Sequence, residues 1–192
     1  MALENAKVTN SRTGTVFEII EISETHVVMR YTMQPHMKVP DIAEHFHSVW
    51  DEEFKILEGE GEYRLDGSKG TVKAGETLTM PRGIKHIHPW NTGSEPMVME
   101  QTATVDAPHP RAVRDTLGII FTLYKAEAEG RILLDKVGIP RNPIKFAATA
   151  RIFAQGGSYD ARFPKAMQDG GAATIGRFVE TLGVDMIDPE FR

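Results

Sequence analysis

Two histidines one residue apart, His45 and His47, are followed after four residues by Glu52, which opens a segment rich in strand formers, EEFKILEGEGEY. Imidazole nitrogen and carboxylate oxygen are ligands for divalent transition metals. On a β-strand, residues i and i+2 project from the same face, so both imidazoles can reach one ion, which i and i+2 on a helix could not do. A second pair with this spacing, His86 and His88, lies in GETLTMPRGIKHIHPWN, behind a turn marked by Pro81 and Gly83. A third imidazole could therefore come from a partner strand.

Elements must hold these pairs, and from Thr13 to about Val105 the pattern is one of strands and tight turns: TVFEIIEI, HVVMRYTM, EFKILEGEGEYRL, ETLTMP and MVMEQTATV, separated by Gly, Pro, Asn and Asp. Many short strands at close spacing predict a sandwich or barrel. Alternation puts Val27, Met29, Tyr31 and Met33 on one face, and groups Met97, Met99, Gln101, Ala103 and Val105 likewise. Gln101 is then the polar exception on an apolar face. Composition shifts at DAPHPR, Asp106 to Arg111, where a helical period begins with Val113, Leu117, Ile120, Phe121 and Tyr124 and is expected to end near Gly130. Two further helices are expected, one from about Pro143 to Gln155, the other carrying Ile175, Phe178, Val179 and Leu182 and ended by Gly183. The division expected is a β-barrel over residues 1–110 and an α-helical extension over 111–192, packed on the barrel or on a second subunit.

The chain has 192 residues, about one domain with an appendage. Lysine and arginine total 22 against 27 acidic residues, with no like-charged block, so nothing advertises nucleic acid or an anionic membrane as partner. The absence of cysteine excludes disulfides, cysteine-zinc sites and thiol catalysis, leaving nitrogen and oxygen for any metal. The first twenty residues lack a basic start followed by an apolar run, and no apolar stretch approaches the roughly 20 residues of a membrane span, so a soluble cytoplasmic protein is expected.

The two histidine segments resemble the cupin superfamily, whose first motif is G(x5)HxH(x3-4)E(x6)G and whose second is G(x5)PxG(x2)H(x3)N. His45, His47, Glu52 and Gly59 fall at the spacing of the first, with Val39 where its opening glycine would stand. Gly75, Pro81, Gly83 and His86 fall at the spacing of the second, and the asparagine comes one residue later, at Asn91. The resemblance covers roughly residues 13 to 105; the helical region lies outside it and is similar to C-terminal extensions of some bacterial cupin-domain proteins. It implies a mostly β fold, a double-stranded β-helix or jelly-roll barrel followed by the helical region, holding one divalent metal on His45, His47, Glu52 and His86. An imidazole and carboxylate set suits Fe, Mn, Ni, Zn, Co or Cu. In an octahedral arrangement, four protein ligands leave two positions for water, substrate or dioxygen.

Other residues admit more than one reading. His88 faces inward by parity and could be a catalytic proton carrier, an alternative ligand or a hydrogen-bonded barrel histidine. Tyr31, Tyr63 and Gln101 are inward by parity and are candidates for orienting a substrate, against the plainer reading that each satisfies its polar atom within the core. Glu53 points to the opposite face from Glu52 and reads as a surface charge. His26, His36 and His109 lack companions, and Trp50 and Trp90 could pack at the barrel mouth as readily as stack on a ligand.

The expectation is a metal-dependent enzyme on a small organic molecule, an oxidoreductase of dioxygenase type, an isomerase or a lyase. The alternatives are a non-catalytic cupin that binds or senses a small ligand and a barrel that keeps metal for stability. A homodimer is expected, because sheet edges and three amphipathic helices need cover.

Overall fold

A computed structural model describes residues 3–192. In chain order the strands are β1 (Lys7–Thr9), β2 (Val16–Ile22), β3 (His26–Met33), β4 (His45–His47), β5 (Asp51–Glu58), β6 (Glu60–Leu65), β7 (Ser68–Lys73), β8 (Thr77–Met80), β9 (His86–Trp90), β10 (Met97–Thr104) and β11 (Ser158–Asp160). They form two antiparallel sheets, one in the order β1-β2-β3-β10-β5-β8 and the other in the order β11-β4-β9-β6-β7. This is a mostly β jelly roll, with helices gathered in the C-terminal region.

The core between the sheets follows the strand alternation. On β3, Val27, Met29, Tyr31 and Met33 are buried; on β10, Met97, Met99, Gln101 and Ala103 are buried, followed by Val105 just beyond the strand. Phe17 and Ile19 of β2 and Phe54 and Ile56 of β5 complete the wall of the larger sheet. The segment from Glu53 to Leu65, read from sequence as one run, is broken at Gly59. That glycine has φ +76°, and a Cβ there would lie 2.6 Å from the Pro96 carbonyl oxygen. The chain turns at this point from one sheet into the other, so the run supplies β5 to the first and β6 to the second.

The strands β1, β7 and β11 were not foreseen. β1 and β11 are only three residues long, and β7 (SKGTVK) has four of its six side chains exposed, so hydrophobic alternation gave no signal.

The helical region begins with a π-type turn, Arg111–Asp115, that runs into α1 (Thr116–Ala128). Helix α1 is buried on nearly every side, between the barrel and the C-terminal segment, where Phe121 meets Phe191 edge-on and Gly118 lets Ile187 and the Phe191 carbonyl approach. Its Tyr124 hydroxyl donates to the Asp41 carbonyl at 3.4 Å, and its ring packs on Phe17. Helix α2 (Pro143–Gln155) has the expected bounds: Asn142 caps it, accepting from the Ile144 and Lys145 amides, and Pro143 occupies its first turn. The last helical stretch is α3 (Lys165–Gly171), a π-type turn Ala172–Gly176, and α4 (Arg177–Thr181). Of its expected apolar stripe only Val179 is buried; Ile175, Phe178 and Leu182 are exposed. No helix among the described residues is long and apolar enough to cross a membrane.

Candidate metal centre

Strand β4 places His45 and His47 on its buried face, with Phe46 half-buried between them. Strand β9 lies beside it with His86 opposite His45 in register, and His88 one step further along. Glu52 comes from the other sheet, at the start of β5, where it pairs with Ala103 of β10 and Met80 of β8. The cluster therefore spans the interior between the sheets. One ligand atom from each of His45, His47, Glu52, His86 and His88 lies within 4.8 Å of all the others, and all five residues are buried. Glu53 is exposed, as the alternation requires.

Hydrogen bonds fix the imidazoles. His45 Nδ1 is 2.7 Å from the Ala43 carbonyl oxygen, and His86 Nδ1 is 2.8 Å from that of Ile84. A carbonyl can only accept, so both Nδ1 atoms carry the ring proton and both Nε2 atoms present lone pairs. Those two Nε2 atoms are 3.2 Å apart, and His86 Nε2 is also 3.0 Å from Glu52 Oε2. Acceptor thus faces acceptor beside a carboxylate, an arrangement that calls for a cation. His47 Nδ1 pairs with the Ser158 hydroxyl at 2.9 Å, while its buried Nε2, 3.4 Å from Glu52 Oε1, has no hydrogen-bond partner among the described residues. The donor set fits a divalent transition metal.

Electrostatics point the same way. Burial, followed by the neighbouring His86, His88 and His47, holds His45 well below the ordinary imidazole value. Burial pushes Glu52 upward, but the imidazoles around it, those of His47 and His88 foremost, outweigh it and leave the carboxyl well below its usual value. A neutral imidazole beside an ionised carboxylate is the protonation state that ligates metal.

Glu52 is braced from behind. Gln101 Nε2 donates to Glu52 Oε1 at 2.5 Å, and the Tyr31 hydroxyl donates in turn to Gln101 Oε1. Register explains the contact: Tyr31 pairs with Met99 and Met29 with Gln101, so Tyr31 and Gln101 are diagonal neighbours on one face. Burial and then the Glu52 charge keep the Tyr31 phenol well above its ordinary value, hence protonated and donating. Parity placed both residues correctly inward; their polar atoms satisfy each other and orient Glu52.

Tyr63, expected with them, is not brought to the cluster. It is half-buried on β6, with its ring lying over Gly70 of β7, and it does not line the cavity beside the cluster. Glycine at position 70 leaves a seat for the ring on the neighbouring strand.

His88 differs from its neighbours. Its Nε2 is 3.3 Å from Glu52 Oε2, its buried Nδ1 has no hydrogen-bond partner among the described residues, and its ring packs against Phe54 and His45, each 4.7 Å away between centroids. Burial lowers its pKa, against the opposing pull of Glu52. Asn91 organises the turn after β9, donating to the Glu95 carbonyl at 2.8 Å and accepting from the Gly93 amide at 2.9 Å.

Ser158 went unread in the sequence, and Trp50 was read there without a site assignment. Ser158 lies 111 residues beyond His47, on β11, which pairs with β4 so that Ser158 stands opposite His47. Gly157, with φ +76° and its carbonyl accepting from the Ser48 amide, turns the chain from α2 into that strand. Trp50 packs 5.2 Å from His47 between ring centroids, held by its indole N–H donating to the Gly156 carbonyl at 2.8 Å. A hydroxyl in an unpatterned GGSYD segment carries no sequence signal, whereas Trp50 stood within the motif as a candidate for the barrel mouth.

A cavity of about 570 Å³ opens beside the cluster, between the barrel and the helical region. His45, His47, Glu52, His88, Tyr31, Gln101, Trp50 and Ser158 line its inner end; residues of α1, α2 and the Ala172–Gly176 turn form much of the rest.

Residues 29–105 match a family model described as "Cupin domain". An uncharacterized protein of Aquifex aeolicus (strain VF5) is 30% identical over 79 residues, which cover 40% of this chain and 63% of that protein; the match thus spans less than two thirds of the relative's length. Among solved structures, an uncharacterized conserved protein with a double-stranded β-helix domain from Klebsiella pneumoniae is similar at 21% identity and TM-score 0.45, over 56% of this chain and 90% of that one. The cupin domain of Schizosaccharomyces pombe Cnp3 is similar at 20% identity and TM-score 0.42, over 48% and 65%. A single-residue variant of Streptomyces PAC13 with uridine is similar at 14% identity and TM-score 0.43, over 55% and 79%.

Proposed function

We propose that this chain, matched over residues 29–105 by a family model described as "Cupin domain", is a metal-dependent enzyme acting on a small organic molecule, with His45, His47, Glu52 and His86 as ligands of one divalent transition metal and His88 as the group that handles a proton. The observation that carries this reading is the pair of Nε2 lone pairs from His45 and His86, 3.2 Å apart, with the Glu52 carboxylate 3.0 Å from the second. A bound divalent metal would supply Lewis-acid or redox chemistry to a substrate oxygen or nitrogen.

The chain's own residues do the rest. Ala43 and Ile84 carbonyls hold the His45 and His86 rings in one tautomer, and the Tyr31–Gln101 pair holds Glu52. With Nε2–H directed at Glu52, His88 has its lone pair on Nδ1, which has no hydrogen-bond partner among the described residues. Its lowered pKa keeps that nitrogen free to accept a proton near neutral pH. Helices and barrel together line the cavity.

Elemental analysis of protein produced in metal-replete medium, and again after reconstitution, is expected to find about one transition metal per chain; finding none would overturn the reading. A binder without catalysis would hold the metal and a ligand yet release the ligand unchanged, which mass spectrometry of bound and released small molecules distinguishes from turnover.

A further inference from the structure

The cavity is polar only in places. Many of its polar side chains gather at the cluster, in Tyr31, Glu52, Gln101, His45, His47 and His88, while Asp41, Glu44, Thr116, Tyr124 and Thr149 also line it. At the rim, Gln168 is occupied with the backbone of Asp160 and Phe163, and the Asp160 carboxylate with Arg162. The rest of the wall is mainly apolar, with Leu117, Ile120, Leu123, Ala147, Ala150 and Phe153. A volume of about 570 Å³ lies within the roughly 300–1,000 Å³ of sites that enclose a drug-sized molecule. Polar metabolites rich in hydroxyls would leave most of their groups unpaired against this wall.

We infer that the substrate is an amphiphile, with one polar head group directed at the metal cluster and an apolar body of aliphatic or aromatic carbon lying between the barrel and helices α1 and α2. The inference rests on the metal-enzyme reading of the same site, whose substrate class it specifies. It assigns the helical region to substrate recognition: α1 and α2 contribute the apolar surface that the barrel lacks, and the large exposed side chains Phe146, Phe163, Met167 and Ile175 stand at the cavity's outer edge. Trp50, between the cluster and the apolar wall, reports occupancy.

The test is a titration of the metal-loaded protein with hexan-1-ol, octan-1-ol and decan-1-ol, read by Trp fluorescence and calorimetry, with xylose and succinate as polar probes. Affinity should rise about fourfold per added methylene, and the polar probes should bind far more weakly than decan-1-ol. Ala147→Trp and Ala150→Trp, which fill the wall, should each weaken decan-1-ol at least tenfold without changing metal content, with circular dichroism confirming the fold. A flat alkanol series, a preference for the polar probes, or unchanged affinity in both folded variants would overturn the inference. Metal content measured on the same samples separates the two claims. Bound metal with a flat series sinks only the substrate class, whereas a steep series in protein that never takes up metal sinks only the metal reading.

Discussion

The two histidines of β9 bear unlike loads. His86 is held by the Ile84 carbonyl and turns its Nε2 to both His45 and Glu52, whereas His88 makes its one polar contact within the cluster with Glu52 and otherwise packs by its ring. His86→Gln is therefore expected to lose the metal, and His88→Gln to keep it while impairing turnover; metal content of the two purified variants decides, and the reverse result would reassign the ligand. Protonation gives a second expectation. His45 and His88 lie below the ordinary imidazole value of 6.5 in the folded chain, so at mildly acidic pH the unfolded chain binds protons that the folded one refuses. Stability of the metal-free protein should thus be full above about pH 6.5 and decline as the pH falls below it. Glu52 acts in the same sense further down, because its contribution is lost as the pH falls through its depressed folded value. Melting temperatures of chelator-treated protein from about pH 8 to about pH 5 check this, and a flat profile would contradict it. At this scale the sequence was largely legible: the spacing of His45, His47, Glu52, His86 and His88 on strands is enough to converge them. Its limit was partnership, since parity brought Tyr31 and Gln101 inward without showing that they bond each other and brace Glu52.

Strand β11 ties the helical region to the metal-bearing sheet through backbone pairing of Ser158–Asp160 with His45–His47 and through the Ser158 hydroxyl on His47. Ser158→Ala should lower metal affinity by about 10- to 100-fold while costing the fold about 1 kcal/mol or less. Competition with a calibrated chelator and a denaturant melt measure the two effects, and equal affinity would show that His47 needs no such support. Long, regularly patterned elements such as β3, β10 and α2 could be read because burial of one face imposes a period on the chain. β1, β7 and β11 could not, because three residues carry no period and a strand exposed along most of its length needs none. The break at Gly59 was hidden for another reason: the residues on both sides form strands, and only the close approach of Pro96 and Met97 separates them into two sheets.

Over the whole molecule, the described surface retains large apolar side chains that neither the core nor the cavity uses, notably Phe178 and Leu182, each about 60% exposed. Burying such a stripe against a second copy is worth roughly 1.5–3 kcal/mol per large side chain, and the chain is expected to be a homodimer. Light scattering at micromolar concentration should give twice the monomer mass and Phe178→Asp should shift it to the monomer; a monomeric wild type would remove the expectation. The seat of Ser158 has a bearing on biosynthesis as well. All five cluster residues have been synthesised once His88 emerges, yet the hydroxyl that anchors His47 arrives 111 residues after its partner. Closing so long a loop is slow compared with forming local hairpins. A nascent barrel would thus pass through a stage in which the imidazoles have gathered but His47 swings free, and a chain in that condition exchanges metal readily. Full retention would come only once β11 has paired with β4, so that the Ser158 segment acts as a latch on metallation as well as a wall of the cavity.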